Sequence, residues 1–469
     1  MRKSIIIICL LSLACMVSEA RTVTGKVISG RKKLSGVLVT DGRSFAQTDR
    51  KGTFSLEVCD SADFVYIITP SGYTADWSEG SPAFYRKVEG QSYFEFDLVD
   101  TGDTSSGYNL IAVGDPQPRS EEHFNEFADV PLGDIRQCAS GMTAPVVGIA
   151  LGDISHDKYH LMKNWKETMG AVELPFYPVI GNHDHNRKFN GDDIASVTYE
   201  ESFGPADYAF FLGDDVVIVL DNIIYHSRSG YELGYTERIL EWVSKLMDYV
   251  PAESDIYVAQ HSPLNGRHYA GMITNHDVLL DLLKGHKVTF ISGHNHTNGV
   301  FEYAPDVMEH NVAAICGTWW DVYHCTDGTP RGYKIFTKED GELSWYYKSI
   351  SRDRDFQYEI YMPGQTTLNP ESVVVNVWDY DPQWTLEWYE DGRPMGRMTQ
   401  VEEYSPLHAE SLRLKYEQLG KEPADYRLTR KSLHYFAATP SLEAKSVQIV
   451  IKDRFGNIWN EDISINTNN

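Results

Sequence analysis

The sequence predicts an α/β core flanked on both sides by all-β modules, and three changes of texture along the chain carry the prediction. Residues 21–104 alternate apolar and polar positions between Gly, Asp and Ser turns. Residues 105–354 instead place short, continuous apolar runs between amphipathic segments. In residues 355–469 the strand-like alternation returns. A length of 469 residues agrees, since roughly 100–200 residues per domain implies two to four domains.

Composition narrows the function classes. With 42% apolar and 23% charged residues the chain is an ordinary globular mixture, which sets aside collagen-like, coiled-coil and disordered readings. A net charge of −25 repels phosphate backbones and anionic lipid heads, so no nucleic-acid partner is expected. The 28 Tyr and 10 Trp fit β-rich modules or sugar-facing surfaces.

Taken in order, residues 1–20 read as a secretory signal peptide. Arg2 and Lys3 precede an apolar run from Ile5 to Met16, and Ser18-Glu19-Ala20 supplies small residues at −3 and −1 of a cleavage before Arg21. The run is too short for a comfortable bilayer span, and no other stretch approaches that length, so no transmembrane anchor is expected. Ser12-Leu13-Ala14-Cys15 lacks the leucine expected three positions before a lipid-modified cysteine. The expectation is an exported protein, periplasmic or secreted rather than lipid-anchored. Export permits disulfides among Cys59, Cys138, Cys316 and Cys325. Cys316 and Cys325 bracket a Trp-rich loop and are the candidate pair; otherwise all four are thiols, with Cys59 and Cys138 packed as small hydrophobes.

In residues 21–104, Val23-Thr24-Gly25-Lys26-Val27 and Val37–Gly42 are short strands closed by turns, the pattern of a β-sandwich. Thr48 to Leu56 reads as strand, tight turn, strand. The module resembles the carboxypeptidase-regulatory-like or transthyretin-like sandwich. In the middle section, Leu110–Val113, Val146–Leu151, Phe176–Ile180, Val216–Leu220, Ile256–Ala259 and Val288–Ile291 suit strands buried on both faces. Ile239, Trp242, Val243, Leu246 and Tyr249 mark one helix face. Thr274 with Asp277 reads as a capping box opening Val278–Leu283, with Gly285 placed to end it. Strand–helix alternation of this kind means an α/β core. Beyond Asp355, Val373–Trp378, Trp384–Tyr389, Leu433–Ala437 and Val447–Ile451 are strands, with one helix around Ala409–Gln418.

The chemistry sits where apolar strands end. Gly114-Asp115-Pro116-Gln117, Gly152-Asp153, Gly181-Asn182-His183-Asp184, Gln260-His261-Ser262 and Gly293-His294-Asn295-His296 each follow such a run. Ligands gather at the carboxyl ends of strands in open α/β sheets, so these turns can converge on one site. Carboxylate, amide and imidazole donors together suit Mn, Fe, Zn or Ni, and the absence of thiolates excludes a structural zinc knot. The glycines ahead of Asp115, Asp153, Asn182 and His294 are read as sharp-turn residues.

The ordered set resembles the calcineurin-like metallophosphoesterase superfamily, and with both β modules it resembles that superfamily's exported, three-module bacterial type. The resemblance implies a four-layer αββα sandwich core with two divalent metal ions (Mn, Fe, Zn or Mg) at the strand ends. It implies that Asp115, Gln117, Asp153 and His296 hold one ion, and that Asp153, Asn182, His261 and His294 hold the other, with Asp153 bridging. It assigns His183 to the leaving oxygen as general acid, with Asp184 fixing its orientation. Gln117 stands where most members have His; an amide oxygen is a weaker, harder donor, which favours Mn or Mg over Zn. His156 stands where purple acid phosphatases need Tyr, so a tyrosinate–iron site is not expected.

The implied reaction is hydrolysis of a small phosphomonoester or phosphodiester by in-line attack of a metal-bridging hydroxide. No Gly-x-Ser-x-Gly elbow or nucleotide-binding Gly-x-x-x-x-Gly-Lys-Ser/Thr motif is present. Arg267 with His268, and His185 with Asn186 and Arg187, follow candidate ligand turns and are the expected contacts to a second phosphate or leaving group. Trp319 and Trp320 are expected to wall the cleft, stack on a ring or pack in the core. The alternative is a weakly active or inactive cell-surface protein that binds glycan or envelope material through its β modules.

Overall fold

The computed structural model describes residues 21–102, 104, 106–227 and 230–465. The signal-peptide reading of residues 1–20 lies outside the described residues.

Two sheets face each other in the centre. One runs Phe176–Pro178, Val146–Ala150, Gly107–Val113, Gly332–Glu339, Glu342–Ser349, with the first three strands parallel and the last two antiparallel. The other runs Tyr208–Leu212, Asp215–Leu220, Ile256–Gln260, Val288–Ser292, Val307–Asn311, Gly299–Ala304, parallel through its four middle strands. Side chains alternate across a strand, and Gly107–Val113 uses both faces. Leu110 and Ala112 share a cluster with Val217, Val219 and Val258 of the opposing sheet. Ile111 and Val113 instead pack with Phe124, Phe127, Ile135, Met162 and Trp165 of the helices Glu121–Asp129, Pro131–Ser140 and Leu161–Met169. The helix Glu237–Met247 packs with the second sheet through Ile239, Trp242, Val243 and Leu246. The core is therefore the αββα sandwich, and the continuous apolar runs exist because both strand faces are buried.

The helix Glu237–Met247 begins where Thr236 Oγ1 accepts a hydrogen bond from Ile239 N at 3.4 Å. Each of its large apolar side chains contributes about 1.5–3 kcal/mol by leaving water. Tyr249 lies past the last turn and is 38% exposed. The capping box at Thr274 does not form. The helix spans His276–Leu282, its N-cap is Asn275 in the left-handed region (φ 59°), and Leu283 is its C-cap. Thr274 Oγ1 donates to Glu232 instead, because Thr274 is drawn into a bridge with Gly234.

The N-terminal module is a sandwich of two sheets. Around Asp49 the chain turns tightly, with Oδ1 accepting from Lys51 N and Thr53 N at 2.8 and 2.9 Å. The flanking strands Phe45–Gln47 and Thr53–Val58 join different sheets, so this turn is a corner of the sandwich. The C-terminal module is two four-stranded sheets closing on Val373, Val375, Trp384, Trp388, Phe436, Ile449 and Ile451. Its helix runs Pro406–Leu419: Ser405 Oγ caps it by accepting from His408 N at 3.2 Å, and Gly420 (φ 61°) ends it.

Both modules are bonded to the core. Phe211 N donates to Thr69 O at 2.9 Å on one side, and Asn298 Nδ2 donates to Trp378 O at 2.8 Å on the other. The expected Cys316–Cys325 bridge is absent. Both are buried thiols, and each sulfur turns to its own carbonyl: Cys316 to Gly317 O at 3.6 Å and Cys325 to Ala314 O at 3.5 Å. Among the described residues no helix is long and apolar enough to cross a membrane.

Candidate metal centre and active site

The five strand-end turns converge. Asp115 and Gln117 follow Gly107–Val113, Asp153 follows Val146–Ala150, Asn182 follows Phe176–Pro178, His261 follows Ile256–Gln260, and His294 and His296 follow Val288–Ser292. One ligand atom each from Asp115, Asp153 and His261 lies within 4.8 Å of the others. Asp153 Oδ2 accepts from Gln117 Nε2 at 2.6 Å, and its Oδ1 lies 3.3 Å from His261 Nε2. Asn182 Oδ1 and His294 Nδ1 lie 3.0 and 3.2 Å from that same nitrogen. His296 Nε2 is 3.5 Å from Asp115 Oδ1.

The backbone is strained to achieve this. Asp115, Gln117, Asp153, His294 and His296 all have φ between 44° and 68°, a region that is costly for residues other than glycine and that clusters at functional sites. The sharp turns thus fall on the candidate ligands themselves. Of the glycines read as turn residues, only Gly152 has positive φ, at 85°. Gly181 is required by close approach, since a Cβ there would lie 2.4 Å from Asp153 Oδ1.

The donor set fits divalent cations. His261 Nδ1–H donates to Leu151 O at 2.7 Å, which turns Nε2 toward the other candidate ligands. That nitrogen faces Asn182 Oδ1 at 3.0 Å and Asp153 Oδ1 at 3.3 Å, so two oxygens and one imidazole nitrogen converge. Gln117 Oε1 and His294 Nε2 are buried without a hydrogen-bond partner among the described residues. Such groups are expensive to bury unless something positive meets them. Electrostatics agree. Burial opposes ionisation of Asp153, but His261 and His183 outweigh it and hold its carboxyl well below the usual range. Burial, reinforced by His261, keeps His294 neutral, the state a ligand needs.

His183 stands beside this group. Its amide donates to Asp153 Oδ1 at 2.9 Å, and its ring stacks on His156 at 4.1 Å. The expected orienting residue is replaced. Asp184 accepts three backbone amides, from Ile154, Ser155 and Gly181 at 3.0, 3.1 and 2.9 Å, and clamps the Asp153 turn to the Asn182 turn. Burial, then Asp153, pushes its carboxyl up to about 7. Asp157 meets His183 instead: Oδ1 lies 3.0 Å from Nδ1, and Arg187 Nε is 3.1 Å from the same oxygen.

The expected substrate contacts divide. His185 is fully buried and is not one. Its Nδ1–H donates to Gly181 O at 2.9 Å and its Nε2 meets Asp221 at 3.1 Å, because the chain turns it inward beneath Tyr225. Asn186 likewise turns away, to Thr198 Oγ1 at 2.8 Å. Trp320 is a core residue that donates to Pro116 O at 3.0 Å. Trp319 is half-buried and stacks on His296 at 4.3 Å. Arg267 and His268 are exposed beside the His294–His296 turn. Sequence reasoning missed Asn295, whose amide holds the Arg267 loop, and Tyr426 of the C-terminal module, which meets Trp319 edge-on at 4.9 Å. The polar residue inside Gly-His-x-His was an available signal for Asn295; nothing local marks Tyr426.

Three family descriptions match successive stretches of the chain. They are the N terminal of calcineurin-like phosphoesterase over residues 21–101, calcineurin-like phosphoesterase over 108–298, and the C terminal of calcineurin-like phosphoesterase over 309–459. Among solved structures, the chain is similar to a dimetal phosphatase from Danio rerio at 14% identity, covering 52% of this chain and 96% of that one, with a TM-score of 0.40. It is similar to a 5'-nucleotidase from Candida albicans at 13% identity, covering 53% of this chain and 52% of that one, TM-score 0.33. PhoD matches at 9% identity over 97% of this chain and 87% of that one, TM-score 0.35. No curated protein matches the chain.

Proposed function

The chain belongs to the calcineurin-like phosphoesterase family, and from that premise we propose that it is an exported, two-metal hydrolase of a small phosphomonoester or phosphodiester. One observation carries the reading: His261 Nε2, Asn182 Oδ1 and Asp153 Oδ1 converge, with Gln117 Oε1 and His294 Nε2 buried and, among the described residues, unpaired.

Asp115, Gln117, Asp153 and His296 would hold one ion, and Asp153, Asn182, His261 and His294 the other. Divalent ions there would neutralise the phosphoryl oxygens and supply a nucleophilic water near neutral pH. The protein's own part is then positional and protonic. Leu151 O fixes the His261 tautomer, and Asp184 locks two ligand turns together. Asp157 holds His183 through Nδ1 and leaves Nε2 to give a proton to the departing oxygen.

The test is hydrolysis of bis-p-nitrophenyl phosphate and p-nitrophenyl phosphate by Mn²⁺-loaded protein. Turnover of at least one, lost in Asp153→Asn, is the expected result. No hydrolysis of either by fully metallated protein overturns the reading.

A further inference from the structure

Two segments distant in sequence meet at the His296 side of the cleft, and each carries an arginine. Arg267 opens a single turn, Arg267–Tyr269, in a loop where Gly266, His268 and Tyr269 all have positive φ (72°, 53° and 58°). Asn295, between two candidate ligands, clamps this loop: its Oδ1 accepts from His268 N at 2.8 Å, and its Nδ2 donates to Gly266 O at 3.2 Å. Tyr269 Oη secures the far end by donating to Asn311 Oδ1 at 2.9 Å. The position of Arg267 is thereby tied to the His294–His296 turn.

Arg430 comes from the C-terminal module. Its amide donates to Thr326 O at 2.8 Å. The neighbouring Asp327 accepts from Asn298 N at 2.9 Å and meets His434 Nε2 at 3.2 Å, so the module is pinned next to the same turn. Tyr426, a few residues earlier, touches Trp319, which lies on His296.

Both arginines thus belong to segments tied to the turn that carries His294 and His296. Burial, and then the charge of Arg267, lowers the pKa of Arg430. Arg187, Arg427 and Arg454 each have a carboxylate partner, in Asp157, Asp321 and Asp381. Among the described residues neither Arg267 nor Arg430 has one within ion-pair distance. In a chain of net charge −25, two arginines that lack a counter-ion and sit on segments pinned to the His294–His296 turn have the composition of an anion receptor.

We propose that Arg267 and Arg430 form a second anion subsite, so that the substrate is a phosphoester carrying a further phosphate or carboxylate beyond the one cleaved. This inference rests on the phosphoesterase reading. It makes the C-terminal module part of the active site, with Arg430 as a specificity residue.

Three probes share one ring and differ at its sixth position: glucose 1-phosphate, glucose 1,6-bisphosphate and glucuronic acid 1-phosphate. They are compared by kcat/KM on Mn²⁺-loaded wild type, Arg267→Ala, Arg430→Ala and Arg430→Lys, each checked for an unchanged melting profile. Wild type should favour the bisphosphate or the uronate over glucose 1-phosphate by at least about tenfold, the scale of a charge-assisted contact. Which of the two is favoured identifies the second anion. Both alanine variants should reduce the preference to near unity, while Arg430→Lys keeps part of it. No preference in wild type, or an undiminished preference in both alanine variants, overturns the subsite. The phosphoesterase reading is judged separately, by the p-nitrophenyl substrates, and it does not fall if wild type hydrolyses none of the three. The same ratios are then read as calorimetric dissociation constants, where equal binding of the three probes overturns the subsite.

Discussion

At His183 the proposed proton donor meets a residue that sequence order conceals. Asp184 is its neighbour in the chain, but its carboxylate is occupied by three amides, while Asp157 arrives from the turn after Asp153. The two acids therefore separate by experiment. His183→Ala should keep its metal and lose about 10²–10⁴ in kcat, most for poor leaving groups. Asp157→Asn should lower kcat by about tenfold with metal retained, since it loosens the acid without removing it. Asp184→Asn should instead destabilise the fold by about 2–3 kcal/mol, as an amide NH2 cannot accept the backbone N–H groups that the two carboxyl oxygens hold, and should weaken metal binding. Metal titration with the three variants checks all of this. For Gln117→His, a tighter metal titration is expected, because imidazole is the better donor. The candidate ligands were legible in the sequence because Asp, Asn and His directly after apolar strands have few other uses. The roles of Asp157 and Asp184 were not, because adjacency along a turn says nothing of where a side chain points.

Strand ends and helix caps differ in how much of their geometry is local. The apolar runs located six strands of the core, since a strand covered on both faces must be apolar throughout, but not Tyr208–Leu212 or Gly332–Glu339, which are also largely buried. The helix Glu237–Met247 was legible for the same reason, its period being set by one buried stripe. Thr274 misled because a capping signature is only a local preference, and its bridge to Gly234 overrides it. Two substitutions at this scale should behave differently. Gly181→Ala drives a Cβ against Asp153 N and Oδ1, so it should abolish metal binding. Thr236→Ala removes a helix cap far from the site, costing about 1 kcal/mol in denaturant unfolding with metal affinity unchanged.

The three modules act as one molecule, and their contacts were the least legible feature. Tyr426 and Arg430 sit in a polar loop of a β module, and only the tertiary bonds at Thr326 and Trp319 bring them to the cleft. On the opposite side, Glu200 of the core faces Asp63 of the N-terminal module. Burial first, then Asp63 and Asp207, pushes its carboxyl up to about 7 from 4.5. Between those values the folded state holds the extra proton, so this group makes stability fall as pH rises through that window. Glu200→Gln should remove that slope and raise stability above pH 7 by about 1 kcal/mol, discounted for its partial exposure, in melting curves taken from pH 4.5 to 8. The acidic surface does not exclude a phosphorylated substrate, because bound cations would set the sign of the charge locally. The central claim is the paired metal site at five strand ends, and an anomalous difference map of Mn²⁺-loaded crystals tests it most directly. Two peaks about 3.5–4 Å apart, one on each side of the Asp153 carboxylate, are the predicted result. No peak among Asp115, Asp153 and His261, or a single peak between His156, Asp157 and His183, would contradict it.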